Sequence, residues 1–278
     1  MTTATIPSLS ARGAQIPMIG FGTSQLRDCG AIVANALKLG YRHIDTAAKY
    51  PSEQSVGEGI RSSGVARNEI FVTTKVSHEN LRAADFARSV EQSLTKLRLD
   101  YVDLLLVHWP STDNIPLAET MQALARAKRE GQARHVGVAN FNIALTEEAM
   151  RLCPEPFVAL QAEYHPYLDQ SKLLAFCRKA GLIFVPYCPL ARGRVFGDPL
   201  LAQMARTRGK TIAQIVLRWL VQQGNIAPIP RSSNPGHMAE SLAVFDFELS
   251  SEEMARIFAL KRADGRIANP LGRAPDWD

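Results

Sequence analysis

The sequence predicts an α/β fold, a closed (β/α)8 TIM barrel with an N-terminal β-hairpin closing its floor. Three observations point there. Short β-branched and aliphatic runs alternate with helical patterns along the whole chain. The strand-like runs are almost continuously apolar, as parallel strands covered on both faces are. No linker or change of composition divides the 278 residues, so a single domain spanning residues 1–278 is expected, a length that one barrel commonly reaches.

The elements follow in order. GAQIPMIGFGTS (13–24) has the look of the hairpin, lying before the first barrel strand. YRHIDT (41–46) is that first strand, and a helix follows over about 53–63. FVTTKV (71–76) precedes the helix LRAADFARSVEQSLTKLR. VDLLLVHW (102–109) precedes LAETMQALARAKREG, where Leu117, Met121, Leu124 and Ala125 recur at helical spacing and Gly131 supplies a left-handed stop. RHVGVAN (134–140) and a short helix come next, then FVALQAEY (157–164) with QSKLLAFCRKAG. LIFVPYCPL (182–190) leads into a helical pair, the second capped by Thr211. NIAPIP (225–230) and VFDFEL (244–249) are the seventh and eighth strands, and SSEEMARIFAL is a last helix capped by Ser250 or Ser251.

Composition excludes several classes. The chain is 46% hydrophobic and 21% charged, which suits a globular protein with a sizeable core. Its net charge of +5 is scattered, with no basic run of five or six residues, so no nucleic-acid partner is expected. YVDLLLVHW is the longest apolar stretch and falls far short of the ~20 residues a membrane span needs. The N-terminus lacks the charged start and apolar core of a signal peptide. Cysteines 29, 153, 177 and 188 form no CxxC pair, which fits a reducing, cytoplasmic setting. The six histidines include no H-x-H and no H-E-x-x-H, so no metal is expected. GFGTSQ (20–25) and GEGIRSSG (57–64) begin like a dinucleotide fingerprint without completing it, and the GKT at 209–211 lacks the first glycine of a phosphate loop.

In a barrel, chemistry gathers where strands end and their following loops begin. The first three strand ends carry Asp45, Lys75 and His108, and Tyr50 lies in the loop after the first. Each alone has a bland reading, as a core histidine or a solvated lysine. Together at one end of successive strands they are harder to explain structurally, because a buried lysine needs a carboxylate partner, here Asp45. A tyrosine has an ordinary pKa of about 10, and a nearby ammonium lowers it by stabilising the phenolate. Tyr50 would then act as general acid toward a carbonyl oxygen that His108 helps to orient.

The motifs GYRHIDTAAKYPSEQSVGEGI, VTTKV, LLLVHWP, VGVANFN, LQAEYHP, PYCPLARG and IPRSSNPGHMAES, in this order, resemble the aldo-keto reductases, most nearly the bacterial 2,5-diketo-D-gluconate reductases of type B. The resemblance covers essentially the whole chain. It implies NADPH bound without a Rossmann domain and Asp45, Tyr50, Lys75 and His108 as a catalytic tetrad. It further implies that Asn140 and Gln161 hold the nicotinamide carboxamide, beside Asp45, and that Tyr187 stacks on the ring. Pro189, Leu190 and Arg192 would cover the pyrophosphate, with Gly22 and Thr23 near the ribose. Arg231, Ser232 and Ser233 would clasp the adenosine 2′-phosphate, and Glu240 would meet the adenine, with His237 and Ser241 beside it.

Four positions depart from the family pattern: Ala139, Cys188, His237 and Ser241 replace serine, serine, arginine and asparagine. His237 weakens the expected preference for NADP over NAD, while Arg231 preserves it through a charge-assisted pair. Ser24, Tyr50, His108 and Trp109 should line the substrate pocket. The tail after the last helix, 262–278, is short, so small polar aldehydes and ketones, keto-sugar acids and methylglyoxal-type dicarbonyls are the expected substrates. A monomer is expected. The alternatives are a non-catalytic NADP(H)-binding regulatory subunit, against which the intact tetrad speaks, and an isomerase or aldolase, which would leave the nucleotide motifs without a purpose.

Overall fold

A computed structural model describes residues 6–278. The first five residues of the N-terminus read for a signal peptide lie outside the described residues. Strands β1 (Ser8–Ala11) and β2 (Ala14–Pro17) form an antiparallel hairpin. Its two-residue turn has positive φ at both Arg12 (45°) and Gly13 (88°), the geometry that matches strand twist. Arg12 tolerates this conformation while its guanidinium binds the carbonyls of Phe157 and Ala180. Those contacts lie at the start of β8 (Phe157–Glu163) and the end of α6 (Ser171–Ala180), so the hairpin does close the N-terminal floor of the barrel.

The barrel begins earlier than expected. Phe21–Gly22 is β3, the first strand of a parallel sheet that runs through β4 (His43–Asp45), β5 (Phe71–Val76), β6 (Val102–Val107), β7 (Ala133–Ala139), β8 and β9 (Ile183–Tyr187) in sequential order. YRHIDT is therefore the second barrel strand. The segment 225–230 closes the ring. Ala227 and Ile229 donate to the carbonyls of Phe184 and Pro186, while Gly20 and Gly22 donate to those of Pro228 and Pro230. The two prolines have no N–H, so the seam with β3 is bonded in one direction only.

VFDFEL is not a strand. With the barrel already closed by 20–22 and 225–230, this stretch lies along α8 (Ile212–Gln222), which follows α7 (Pro199–Arg208). Side chains of α8 satisfy its backbone: Gln214 donates to the Ala243 carbonyl, Gln222 donates to the Leu249 carbonyl, and the Gln222 carbonyl oxygen accepts from Leu249 N. Its alternating apolar residues serve packing instead, with Val244 and Leu249 buried.

The helices α1 (Gly30–Leu39), α2 (Glu53–Ser62), α3 (Ala83–Leu97), α4 (Leu117–Arg129) and α5 (Ile143–Leu152) complete the outer layer with α6 to α8, α9 (Pro235–Leu242) and α10 (Ser251–Phe258). Caps act where the sequence places them. Thr211 and Ser250 each form a capping box, and Gly131 has φ of +78° just past α4. Among the described residues no helix is long and apolar enough to cross a membrane, and all four cysteines are unpaired.

Strand alternation sorts the interior into layers. Phe71, Leu104, Leu106, Ala159, Ile183, Val185, Ala227 and Ile229 form one buried cluster inside the barrel, sealed below by Ala14 and Ile16. Further along the same inward rows stand Asp45, Lys75, His108, Gln161 and Tyr187. The top of the barrel is thus polar where the floor is greasy. Gly137 permits β7 and β8 to approach at a register shift, since a Cβ there would lie 2.3 Å from the Ala159 carbonyl oxygen. One polar residue sits low in the core. His43 is fully buried, with Nε2 3.0 Å from Thr73 Oγ1 and its ring edge-on to Phe71.

Burial lowers the His43 pKa from 6.5 to about 4, the nearby Lys75 adding to the effect and Asp45 opposing it. A group whose folded pKa is depressed stabilises the fold above its unfolded value and loses that contribution as pH falls. Stability should therefore drop by about 3 kcal/mol between pH 6.5 and 4 from this residue. Urea unfolding across that window checks it, and His43→Asn should flatten the slope.

Candidate active site

Lys75 and Asp45 meet at the C-terminal rim of adjacent strands. Lys75 Nζ donates to Asp45 Oδ1 at 2.6 Å and to the Thr46 carbonyl at 2.8 Å, and both side chains are buried. Gln161, across the barrel on β8, donates to the other Asp45 oxygen at 2.8 Å. Both Asp45 oxygens thereby have a donor and the ammonium has two acceptors, which offsets part of the cost of burying the pair. The turn after β4 is tied to β5 by Thr46 N to the Thr73 carbonyl (2.8 Å) and Ala48 N to the Lys75 carbonyl (3.1 Å). A further bond from Tyr50 N to the Ala47 carbonyl, 2.9 Å, sets the phenol over the pair.

Tyr50 lies with its ring centroid 5.5 Å from Lys75 Nζ and edge-on to His108 at 5.7 Å. Burial pushes the Tyr50 hydroxyl above its ordinary pKa, Lys75 pulls it back, Asp45 raises it again and Ser24 lowers it. The net direction is upward, opposite to the lowering expected from Lys75 alone, because desolvation of the phenolate outweighs the ammonium. Tyr50 therefore holds its proton at neutral pH. His108 titrates well below its usual value, chiefly through burial and then through Lys75, so it is a neutral hydrogen-bonding group. Its Nδ1 is buried without a protein partner among the described residues.

Asn140 sits at positive φ (61°), donates to the His108 carbonyl at 2.8 Å, and accepts from the Tyr187 hydroxyl at 2.7 Å. Gln161 thus meets the pair directly, while Asn140 joins Tyr187 to the end of the His108 strand. Thr23 is fully buried, and its N and Oγ1 both contact the Asp45 carbonyl at 3.0 Å. It holds the end of β4. A Cβ on Gly22 would meet the Ile229 carbonyl oxygen at 2.9 Å, so that glycine permits barrel closure. The loop after β9 is strained, with positive φ at Cys188, Ala191 and Arg192. Pro189 is buried, Leu190 half-buried and Arg192 exposed there.

The expected adenosine side is more open. Arg231, Ser233 and His237 are exposed, and Ser232 and Glu240 half-buried, around the start of α9, which Asn234 caps through Gly236 N and His237 N. An exposed helix N-terminus with an arginine beside it suits a phosphate. Ser241 faces the other way. It is buried and donates to the His237 carbonyl of its own helix. Among the described residues no group of three His, Cys, Asp or Glu side chains is placed to hold a metal.

The tail does more than its length suggests. Glu163, fully buried at the end of β8, accepts from Ile267 N and Ala268 N, each at 2.7 Å, and pairs with His165 Nε2 at 2.8 Å. Burial opposes the charge on Glu163, but the His165 contact and the two backbone N–H groups outweigh it and hold the carboxyl below its usual pKa. Asn142 and Ile143 bind Asp276 and Asp278, and Trp277 packs edge-on to Trp109 at 6.3 Å. Segment 262–278, short as it is, therefore packs against Trp109 and the start of α5 at the rim. The signal was available, since Glu163 lies two residues past Gln161 in the same inward row.

A parallel eight-membered barrel whose rim gathers a phenol, a buried ion pair and a neutral imidazole defines a class of acid–base oxidoreductase sites. The chain matches the Aldo/keto reductase family over residues 18–262 and belongs to that family. It is 41% identical over 267 residues to the methylglyoxal reductase DkgB of Salmonella typhimurium (strain LT2), covering 95% of this chain and 99% of the relative. It is 37% identical to a glyoxal reductase of Bacillus subtilis (strain 168), covering 93% and 94%. A crystal structure of a provisionally named 2,5-diketo-D-gluconic acid reductase B superposes with a TM-score of 0.96 at 45% identity, covering 99% of both chains. A Bombyx mori aldo-keto reductase in complex with NADP gives a TM-score of 0.89 at 33% identity, covering 96% of both.

Glu163→Gln replaces one acceptor with a donor facing a backbone N–H and should loosen the tail by on the order of 1–3 kcal/mol. Since the Glu163 pKa is depressed, the clasp is at full strength above its ordinary value of 4.5 and weakens as pH falls below it. Protection of the amides of residues 267 and 268 against hydrogen exchange, taken relative to the intrinsic rate at each pH, should fall in the variant at neutral pH, and in the native protein only in acid.

Proposed function

We propose that this enzyme reduces small polar aldehydes and ketones, among them keto-sugar acids and methylglyoxal-type dicarbonyls, with NADPH, using Tyr50 as general acid. The observation that carries this reading is the edge-on packing of Tyr50 against His108 with the Lys75–Asp45 pair beside them. A carbonyl oxygen placed between Tyr50 and His108 would meet two donors at once. His108, uncharged, can orient that oxygen through an N–H without surrendering its proton.

Nicotinamide, when bound, supplies the hydride that adds to the carbonyl carbon. Tyr50 passes its proton to the oxygen, and the Lys75 ammonium stabilises the phenolate left behind until solvent returns the proton. Asp45 and Gln161 keep the ammonium aimed. Gln161 and Asn140 are the candidates for the carboxamide, and Tyr187 for the ring face. Thr23 and Ser241 are less suited to cofactor contact, because their hydroxyls are engaged within the fold. The preference for NADPH rests on Arg231, whose planar guanidinium can bind two oxygens of a 2′-phosphate. The enzyme acts as a monomer in a cytoplasmic setting.

Tyr50→Phe should lower kcat/KM for methylglyoxal by on the order of 10²–10⁴-fold. Its NADPH affinity, measured by quenching of protein fluorescence, should stay close to that of the parent. Failure of the unaltered protein to oxidise NADPH with any carbonyl tried would leave only a regulatory nucleotide-binding role. Arg231→Ala should weaken NADPH binding by about tenfold, the scale of one charged hydrogen bond, and NADH binding far less. Equal losses would remove Arg231 from the phosphate site.

A further inference from the structure

One buried acid has no part in the chemistry above. Glu53 opens α2, three residues past Tyr50 and within the motif that carries Asp45. Its side chain is buried and is in none of the ion pairs that the described residues form. Its partners are two hydroxyls on other elements. Thr74 Oγ1 donates to one carboxylate oxygen at 2.7 Å, and Ser93 Oγ donates to the other at 3.1 Å. Taking a carboxylate out of water for two neutral donors is costly. Burial accordingly raises the Glu53 pKa, against the pull of both hydroxyls and of Lys96 and Lys75.

Those two contacts replace a helix cap. Ser52 stands at the N-cap position of α2, but its hydroxyl bonds nothing in the helix and is buried without a partner among the described residues. The start of α2 is held from the side instead, by Glu53, to β5 through Thr74 and to α3 through Ser93. Further along, α2 lies tight between its neighbours. A Cβ on Gly57 would stand 2.2 Å from the Leu97 carbonyl oxygen, and one on Gly59 2.5 Å from that of Gly30. Upstream, only Pro51 and Ser52 separate Glu53 from Tyr50, and the proline ring fixes one torsion of that short link. Thr74 precedes Lys75, so strand alternation turns Thr74 to the helices and Lys75 to the barrel. Thr46 N and Ala48 N bind the β5 backbone ahead of the phenol, and Glu53 binds β5 behind it. The Tyr50 turn is thus pinned to the Lys75 strand on both sides.

We propose that Glu53 is a positioning residue for the reaction: tied to Thr74 beside Lys75, it fixes the Tyr50 phenol against the Lys75 ammonium. The inference rests on the carbonyl-reductase reading above. The hydrogen bonds of Glu53 reach none of Asp45, Tyr50, Lys75 and His108, so it acts through the turn. Without the tie that turn is anchored on one side only, and small misplacements of a reacting group cost rate steeply. Burial raises the Tyr50 pKa most. Of the charged or titratable groups around it, Lys75 lowers it, Asp45 and Cys188 raise it, and His108 is neutral. A phenol that drifts from Lys75 therefore keeps its proton to higher pH.

The test follows a single turnover of methylglyoxal by the NADPH-loaded enzyme in Thr74→Val, Glu53→Ala and Glu53→Gln. Valine keeps the shape of Thr74 and removes one tie. The rate should fall about tenfold there and on the order of 100-fold in Glu53→Ala, with NADPH affinity close to that of the parent. In both variants the basic limb of the rate, where Tyr50 loses its proton, should move to higher pH. Glu53→Gln, whose amide can accept from Thr74 and donate to Ser93, should recover most of the rate. Thermal melting sets a temperature at which each variant is folded, and if Glu53→Ala does not fold, Thr74→Val decides by the same criteria. A lower melting temperature with the rate and the basic limb unchanged would overturn the assignment, since Glu53 would then serve stability alone. A loss in Glu53→Gln as large as in Glu53→Ala, or NADPH affinity falling in step with the rate, would overturn it too. Turnover of no carbonyl by the unaltered enzyme would instead overturn the reductase reading, and this inference with it.

Discussion

Lys75 and Asp45 face each other across two strands, both buried away from water. Taking both groups out of water is expensive, and removing one partner from such a pair costs on the order of 3–5 kcal/mol because the other charge is left uncompensated. The fold helps to meet this demand with the Thr46 carbonyl, which accepts a second ammonium proton, and Gln161, which donates to the second carboxylate oxygen. The turn that carries Tyr50 is bonded to the same strands, so the phenol cannot shift without disturbing the pair. Placement of acid, ammonium and aromatic hydroxyl is one structural fact rather than three.

The pair also explains the balance of protonation. Burial alone would raise Tyr50 and depress His108, and Lys75 acts on both, pulling the first down and pushing the second further down. The outcome is a proton held on oxygen beside a neutral imidazole. A proton donor and an uncharged orienting group then stand within one small space, which suits reduction of a carbonyl better than attack by a nucleophile.

The barrel separates stability from chemistry along each strand. Lower inward positions are apolar and sealed by the hairpin, whereas the last inward positions carry the polar side chains. His43 is the exception below, tolerated because Thr73 bonds one nitrogen and Gly20 leaves room for the other, 2.6 Å from where a Cβ would stand. Above, Glu163 converts a short tail into a fixed wall by offering a carboxylate to two consecutive backbone N–H groups.

Sequence by itself determined what depends on neighbours along the chain. The order of strand-like runs put Asp45, Lys75 and His108 at strand ends, and the caps at Thr211, Ser250 and Gly131 followed from local hydrogen bonding and backbone conformation. The family motifs named the same positions. Tertiary structure decided the rest. Phe21–Gly22 is too short to read as a strand, and Pro228 and Pro230 obscure its partner, yet their union from opposite ends of the chain closes the ring and displaces VFDFEL. The raised proton affinity of Tyr50, the inward turn of Ser241 and the clasp on residues 267 and 268 likewise arise only once distant segments share a low-dielectric interior. Periodicity records which face of an element is apolar, but it carries no information about which remote backbone will meet that face.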